Sequence, residues 1–175
     1  MMRLSRILLL SVFAASVAGP AFARRHIMHV VDLTESAAAA VSEPHPFNEA
    51  ADANADIEAA LQRASRSDKL VLVVFGGNWC HDSRALAANF KEPRLSALLE
   101  ARFETVWVDV GYKDKNLDVA KRFGISKIRG TPTVLVLSGD GAALNLSTAG
   151  DWDDAASKSL DETIAYFNNF KSAGA

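Results

Sequence analysis

The sequence has one cysteine, Cys80, among its 175 residues. No disulfide can therefore form within a single chain, and the fold depends on a packed core, which a chain of this length is able to bury. The sequence also lacks a large excess of charge of either sign, because its formal net charge is −2, and it contains no long run of basic residues. We therefore expect no nucleic-acid partner.

The first apolar run of the chain has the features of a secretory signal peptide. Arg3 and Arg6 precede an apolar stretch over residues 7–17, and Ala21-Phe22-Ala23 forms a small-x-small cleavage site. The stretch is too short to serve comfortably as a membrane span. We predict that residues 1–23 are removed and that the mature protein is periplasmic or secreted, with no membrane partner. A retained N-terminal anchor is the alternative.

Residues 24–54 are poorly patterned, and we predict a flexible lead there. The sequence Glu43-Pro44-His45-Pro46 breaks regular structure. His26 and His29 have the spacing H-x-x-H, but no second pair of ligands accompanies them, so we predict no metal site. A single domain follows, over residues 55–171.

The centre of this domain is a strand that runs into a helix at Cys80. Residues 70–75 are all apolar and end at Gly76 and Gly77, which is typical of a strand buried on both faces, and residues 84–90 are rich in helix formers. A thiolate in the first turn of such a helix is stabilised by unpaired N–H groups and by the positive end of the helix dipole. We expect Cys80 to be reactive and incompletely buried. An inert core cysteine is the alternative.

Three neighbours of Cys80 bear on its sulfur. A protonated His81 adds a positive charge, and the Ser83 hydroxyl can donate a hydrogen bond to the thiolate. Asp82 acts in the opposite direction, because a carboxylate disfavours a second negative charge nearby. A cysteine hydrolase or a metal site built on Cys80 and His81 is disfavoured, since adjacent helix residues point in different directions and no further ligands accompany them.

The remaining patterns predict alternating helices and strands. A helix with an apolar face starts at Asp56 and is capped by Asn54 or Asp56, and residues 142–146 return as the second strand of a hairpin. The order of elements gives a mixed sheet flanked by helices on both faces. The other predicted elements are helices over 93–101, 117–123 and 159–170, the last with a Ser159–Glu162 capping box, and strands over 103–110 and 133–137.

Trp79-Cys80-x-x-Ser83 after a strand, followed later by Thr131-Pro132 before a second strand, resembles the thioredoxin family over roughly residues 56–170. The resemblance implies a three-layer sandwich with a mixed central sheet, and a catalytic role for Cys80 without a cofactor. It also implies that Thr131 and a cis Pro132 position the substrate, and that Trp79 forms an apolar lip beside the thiol.

Two departures from the family pattern limit the chemistry. Ser83 stands where the family has a second, resolving cysteine, and Val74 stands where many members have a buried aspartate. Turnover then requires an external thiol or dithiol reductant. Three activities remain open: disulfide exchange or isomerisation, reduction of mixed disulfides or oxidised thiols on exported proteins, and long-lived covalent capture of a client. A non-catalytic module that binds clients or has a structural role is the alternative to exchange.

Overall fold

The computed structural model describes residues 43–171, so the predicted signal peptide and the pair His26 and His29 lie outside the described part. Helices and strands alternate along it, with one short 3-10 turn at Ala155–Ser157. The α-helices are α1 (Ala53–Ser67), α2 (His81–Asn89), α3 (Pro93–Arg102), α4 (Leu117–Arg122) and α5 (Leu160–Asn168). The strands are β1 (Leu70–Gly76), β2 (Phe103–Asp109) and β3 (Thr133–Leu137).

The three strands form a mixed sheet with β1 in the middle. Strand β2 runs parallel to β1, with Phe103 opposite Leu70, and β3 runs antiparallel to it, with Leu137 opposite Val71. All seven residues of β1 are buried, because a neighbouring strand lies on each edge and helices cover both faces. The predicted mixed sheet and doubly buried central strand are confirmed.

Alternate side chains of β1 enter two separate apolar cores, one on each face of the sheet. On one face Val73 and Phe75 pack with Ile57 of α1. On the other face Leu72 and Val74 pack with side chains of α2, α3 and α5, which are Leu86, Leu95, Leu99 and Phe167. Helices therefore flank both faces of the sheet, as the resemblance implied. The loop that follows β1 leads into α2.

The helix ends follow the sequence signals with one exception. Ser159 and Glu162 form the predicted capping box of α5. The cap of α1 is Asp52, whose carboxylate accepts a hydrogen bond from the backbone N–H of Ala55 at 3.0 Å, and neither Asn54 nor Asp56 fills that role. The helix starts three residues earlier than predicted, because Asp52 offers a cap outside the apolar repeat on which the prediction depended.

The predicted hairpin over residues 142–146 is confirmed only in part. One antiparallel bridge joins Leu137 to Ala143, with backbone hydrogen bonds from Ser138 N to Ala142 O and from Leu144 N to Val136 O, both 2.9 Å, and no second strand follows β3 within residues 43–171. Beyond this bridge the side chain of Asn145 takes the place of a backbone ladder: its Oδ1 accepts from Val136 N at 2.8 Å, and its Nδ2 donates to Val134 O at 2.8 Å. A buried amide thus completes the edge of β3, and the chain is free to turn away.

The domain begins before the predicted boundary at residue 55. Phe47, which the prediction placed in the flexible lead, is 3% exposed and packs edge-on against Trp107 with ring centroids 5.2 Å apart. Its backbone is also paired with the Asn78 side chain, which accepts from Phe47 N at 3.1 Å and donates to Phe47 O at 2.7 Å. The last part of the lead is therefore part of the core, because one aromatic residue among prolines and polar residues is enough to anchor it.

We expect the stability of the domain to fall with pH through Glu104. The hydrogen bond from Arg63, at 2.7 Å, and the ammonium of Lys69 hold the pKa of Glu104 below its ordinary value of 4.5. A lowered pKa in the folded state contributes stability that is complete above the ordinary value and is lost as the pH falls through the folded-state value. Glu104→Gln should lower the urea midpoint at neutral pH and flatten its decline in acid.

Urea unfolding over a pH series from neutral into acid checks this, because the difference between the midpoints of wild type and Glu104→Gln should narrow as the pH falls. Asp161→Asn, which breaks the exposed pair with Arg94, is the control and should change the midpoint less. Parallel pH profiles for wild type and Glu104→Gln would contradict the prediction.

No helix among residues 43–171 combines the length and the apolar character that crossing a bilayer requires.

Candidate functional site

Cys80 lies at the junction between the central strand and α2. Strand β1 ends at Gly76, the backbone turns with Cys80 N donating to Gly77 O at 3.0 Å, and Cys80 itself is the N-cap of α2. Its backbone is extended, with φ −81° and ψ 123°, and its side chain makes no capping bond. Cys80 therefore stands at the positive end of the α2 dipole, a position where negative charge is favoured.

The thiol contacts the loop before β3. Cys80 Sγ donates to the carbonyl oxygen of Thr131 at 3.1 Å, and the following Thr131–Pro132 peptide bond is cis, as the resemblance implied. Cys80 is 7% exposed, so the expectation of incomplete burial is wrong. The reason is the close approach of this loop, which comes from 51 residues away in the sequence and covers the sulfur.

Trp79 and Tyr112 form an exposed aromatic pair beside the cysteine. Their rings are stacked with centroids 5.0 Å apart and an interplanar angle of 23°, and the indole N–H of Trp79 donates to Gly111 O at 2.8 Å. Trp79 is 42% exposed and Tyr112 is 76% exposed. Tyr112 thus stacks on the residue that is predicted to form the apolar lip, and it had no sequence signal beyond being an aromatic residue in a polar loop.

Neither of the two residues after Cys80 is hydrogen-bonded to its sulfur. His81 is exposed and has no hydrogen-bond partner within residues 43–171. Asp82 Oδ1 accepts a hydrogen bond from Ala156 N at 2.9 Å, so this carboxylate is engaged with the 3-10 turn at Ala155–Ser157. No Cys–His dyad is formed, and the first turn of α2 is tied to that neighbouring turn.

Ser83 is fully buried beneath Phe47 and Gly76. Its hydroxyl has no hydrogen-bond partner in the part of the chain that the structure describes, and it makes no bond to Cys80 Sγ. A Cβ atom added at Gly76 would lie 2.5 Å from Ser83 Oγ and 2.7 Å from the Phe47 ring, which shows how closely the three residues pack. The family position of the resolving thiol is therefore occupied by a hydroxyl in a tight apolar enclosure.

Arg84 fastens the segment 43–48 to the start of α2. Its Nε pairs with the Glu43 carboxylate at 2.6 Å, and its Nη1 donates to Asn78 O at 2.9 Å. Together with the Asn78 bonds to Phe47, these contacts make residues 43–48 one wall of the site on the side of Ser83. Sequence patterning gave no sign of this wall, because its contacts join residues more than 30 positions apart.

A family model described as thioredoxin-like matches residues 52–139, which covers both the Trp79-Cys80-x-x-Ser83 segment and the Thr131-Pro132 loop. The chain belongs to the thioredoxin-like family. The resemblance drawn from these two motifs is confirmed, and so is the fold it implied.

Solved structures extend the comparison of this thioredoxin-like chain. A disulphide isomerase from Xylella fastidiosa Temecula1 is 33% identical, with a TM-score of 0.68, and the match covers 72% of this chain and 96% of that one. The DsbD C-terminal domain of Neisseria meningitidis is 22% identical in its oxidised form, with a TM-score of 0.48 over 68% of this chain and 96% of that one. Its reduced form is 23% identical, with a TM-score of 0.49 over 70% and 97%. No curated protein matches the chain significantly.

The thioredoxin-like site offers one nucleophile and no metal-binding cluster. Within the described residues, no group of three or more His, Cys, Asp or Glu side chains converges as a cation would require. The chemistry available to residues 43–171 is that of a single thiol at a helix N-terminus, beside an exposed aromatic pair and a cis-proline loop.

Proposed function

We propose that this protein is an exported thiol–disulfide exchange protein that acts through Cys80 alone. The observation that carries the proposal is the position of Cys80 Sγ, at the N-cap of α2 and 3.1 Å from the carbonyl of Thr131 in the cis-proline loop. Family membership and the likeness to a disulphide isomerase support exchange chemistry in general. Export rests on the predicted signal peptide, residues 1–23.

The proposed reaction has two exchange steps. The Cys80 proton is lost to solvent, and the thiolate attacks one sulfur of a client disulfide; a Cys80–client disulfide forms, the client disulfide breaks, and the second client sulfur leaves as a thiolate that takes up a proton. An external thiolate, from a small thiol or a dithiol protein, then attacks the client sulfur of the mixed disulfide; a disulfide between the client and the external thiol forms, the Cys80–client bond breaks, and Cys80 leaves as a thiolate. The Ser83 hydroxyl cannot perform the second step, because it is neither acidic enough nor redox-active.

Each neighbouring residue has a role in the proposal. The backbone of Thr131 and Pro132 positions an extended client segment, and the Trp79 ring contacts its apolar side chains. His81, which is exposed on the first residue of α2, adds positive charge near the thiolate when it is protonated. When Cys80 loses its proton, the hydrogen bond from its thiol to the Thr131 carbonyl is lost. The same event therefore leaves that carbonyl available to the client backbone.

The second candidate is a binding module without catalysis. The burial of Cys80 favours it, because a sulfur that is 7% exposed has to become more accessible before it can attack a disulfide. In that case clients would bind to the aromatic pair and the cis-proline loop without forming a covalent bond.

Intact mass spectrometry separates the two candidates. We expect wild type, incubated with a cysteine peptide activated as its 2-pyridyl disulfide, to gain one peptide mass, and we expect Cys80→Ala to gain none. The adduct should persist after removal of the reagent and should disappear when a reduced thiol is added. Peptide binding without any adduct, equal for wild type and Cys80→Ala, would overturn the exchange function in favour of the binding module.

A further inference from the structure

Four cationic side chains line one groove between α4 and the segment 125–129. They are Lys113, Lys121, Lys127 and Arg129, and all four residues are exposed. The floor of the groove is apolar, and no acidic residue lines it. The floor residues are Leu117, Ala120, Ile125 and Ile128.

These cations differ from most others in the described residues because none of them is in an ion pair. The seven paired cations of residues 43–171 are Arg63, Lys69, Arg84, Arg94, Lys115, Arg122 and Lys158. Asp151 and Asp153 line the neighbouring groove with Lys127 and Arg129, but neither carboxylate forms an ion pair with them. A chain with a net charge of −2 therefore has four cations along one groove with no carboxylate of residues 43–171 at ion-pair distance.

Two of the four cations are close in the chain to residues of the site around Cys80. Arg129 lies two residues before Thr131, whose carbonyl accepts the Cys80 thiol. Lys113 Nζ donates to Arg129 O at 3.3 Å, which joins the two walls of the groove, and Lys113 directly follows Tyr112 of the exposed aromatic pair. A polypeptide that lies along the cis-proline loop and the aromatic pair thus reaches the end of the groove that Arg129 and Lys113 form.

We propose that this groove binds acidic side chains of the client polypeptide whose disulfide Cys80 attacks. The inference rests on the proposed exchange function and specifies its substrate class. Two features favour an extended acidic segment over a small anion: the cations are distributed along the groove, and its floor accepts apolar side chains between the acidic ones. Complementary charge at such a position increases the rate of encounter more than it strengthens the final complex.

The test compares rates of adduct formation for three peptides that carry the same 2-pyridyl disulfide and differ only in their flanking residues, which are glutamate, glutamine or lysine. We expect wild type to react about tenfold faster with the glutamate peptide than with the glutamine peptide at low salt, and the difference should shrink at about 0.5 M salt. Lys121→Glu combined with Lys127→Glu should remove the preference for glutamate.

The matched control is Arg66→Glu combined with Lys91→Glu, which changes the net charge equally at exposed positions outside the groove. It should keep the preference for the glutamate peptide. Equal rates for the glutamate and glutamine peptides, or equal effects of the two double variants, would overturn the inference while leaving the exchange function in place. The inference would also be overturned if the groove variant lost reactivity only toward glutathione disulfide and not toward the peptides. That result would identify a small anion as the partner of the groove. Absence of any Cys80 adduct would overturn both proposals.

Discussion

Replacing Ser83 with cysteine is expected to shorten the lifetime of the Cys80–client disulfide by at least about tenfold, because an intramolecular thiol competes with the external one. Position 83 is the third residue of α2, and Cys80 is its N-cap. The Ser83 side chain is fully buried and its hydroxyl has no partner in the described residues, so the substitution breaks no hydrogen bond there. The measurement is the decay of the mixed disulfide by mass after excess peptide and free thiol are removed.

The same measurement on Ser83→Ala supplies the control, since alanine removes the hydroxyl without adding a thiol. We expect its adduct to be as persistent as that of wild type. A Ser83→Cys adduct that decays no faster than the Ser83→Ala adduct would show that the buried position cannot reach Sγ of Cys80. Ser83 would then have only a packing role. The need for an external thiol would follow from the distance between position 83 and Cys80 Sγ, and not from the absence of a second cysteine.

Phe47→Ala is expected to lower the free energy of unfolding by about 3 to 5 kcal/mol, the usual cost of truncating a buried phenylalanine. Phe47 is 3% exposed, contacts Trp107 and covers Ser83, although it lies before the first helix. Its loss leaves a cavity beside Ser83 and removes the apolar anchor of residues 43–48. Urea unfolding, followed by circular dichroism, gives the change in free energy.

Phe170→Ala is the matched control, because it removes the same atoms from a partly buried position at the edge of the same core. It should cost less than Phe47→Ala. Limited proteolysis adds a second readout, since Phe47→Ala should expose the segment 43–52 to cleavage before the rest of the domain unfolds. If Phe47→Ala were no more destabilising than Phe170→Ala, the segment 43–48 would not be an integral wall of the site.

The central part of the fold could be predicted from sequence because its signals are local. The apolar run at residues 70–75 indicated a doubly buried strand, and Ser159 with Glu162 indicated a helix start, and both are observed. The strand predicted to return after β3 is shortened to a single bridge, since the sequence pattern over residues 142–146 contains no information about the Asn145 side chain that pairs with β3 beyond that bridge.

The site was less predictable, because its walls come from distant parts of the chain. The motif placed Cys80 and the cis-proline loop correctly, but the burial of the sulfur depends on how closely Thr131 approaches it. The contributions of Phe47 and Tyr112 depend on packing across more than 30 residues of sequence. The cationic groove had no sequence signature either, since its members are spread over residues 113–129 and are drawn together by α4.

The rate constant for the reaction of Cys80 with a small uncharged disulfide is the most direct test of a reachable, activated thiol. It should be measured at neutral pH in the folded protein and in the urea-unfolded chain, each relative to a free cysteine peptide in the same solvent. We predict that the folded protein reacts about tenfold faster than the unfolded chain, because the start of α2 stabilises the thiolate. A folded protein that reacts more slowly than its unfolded chain would contradict the proposed role of Cys80.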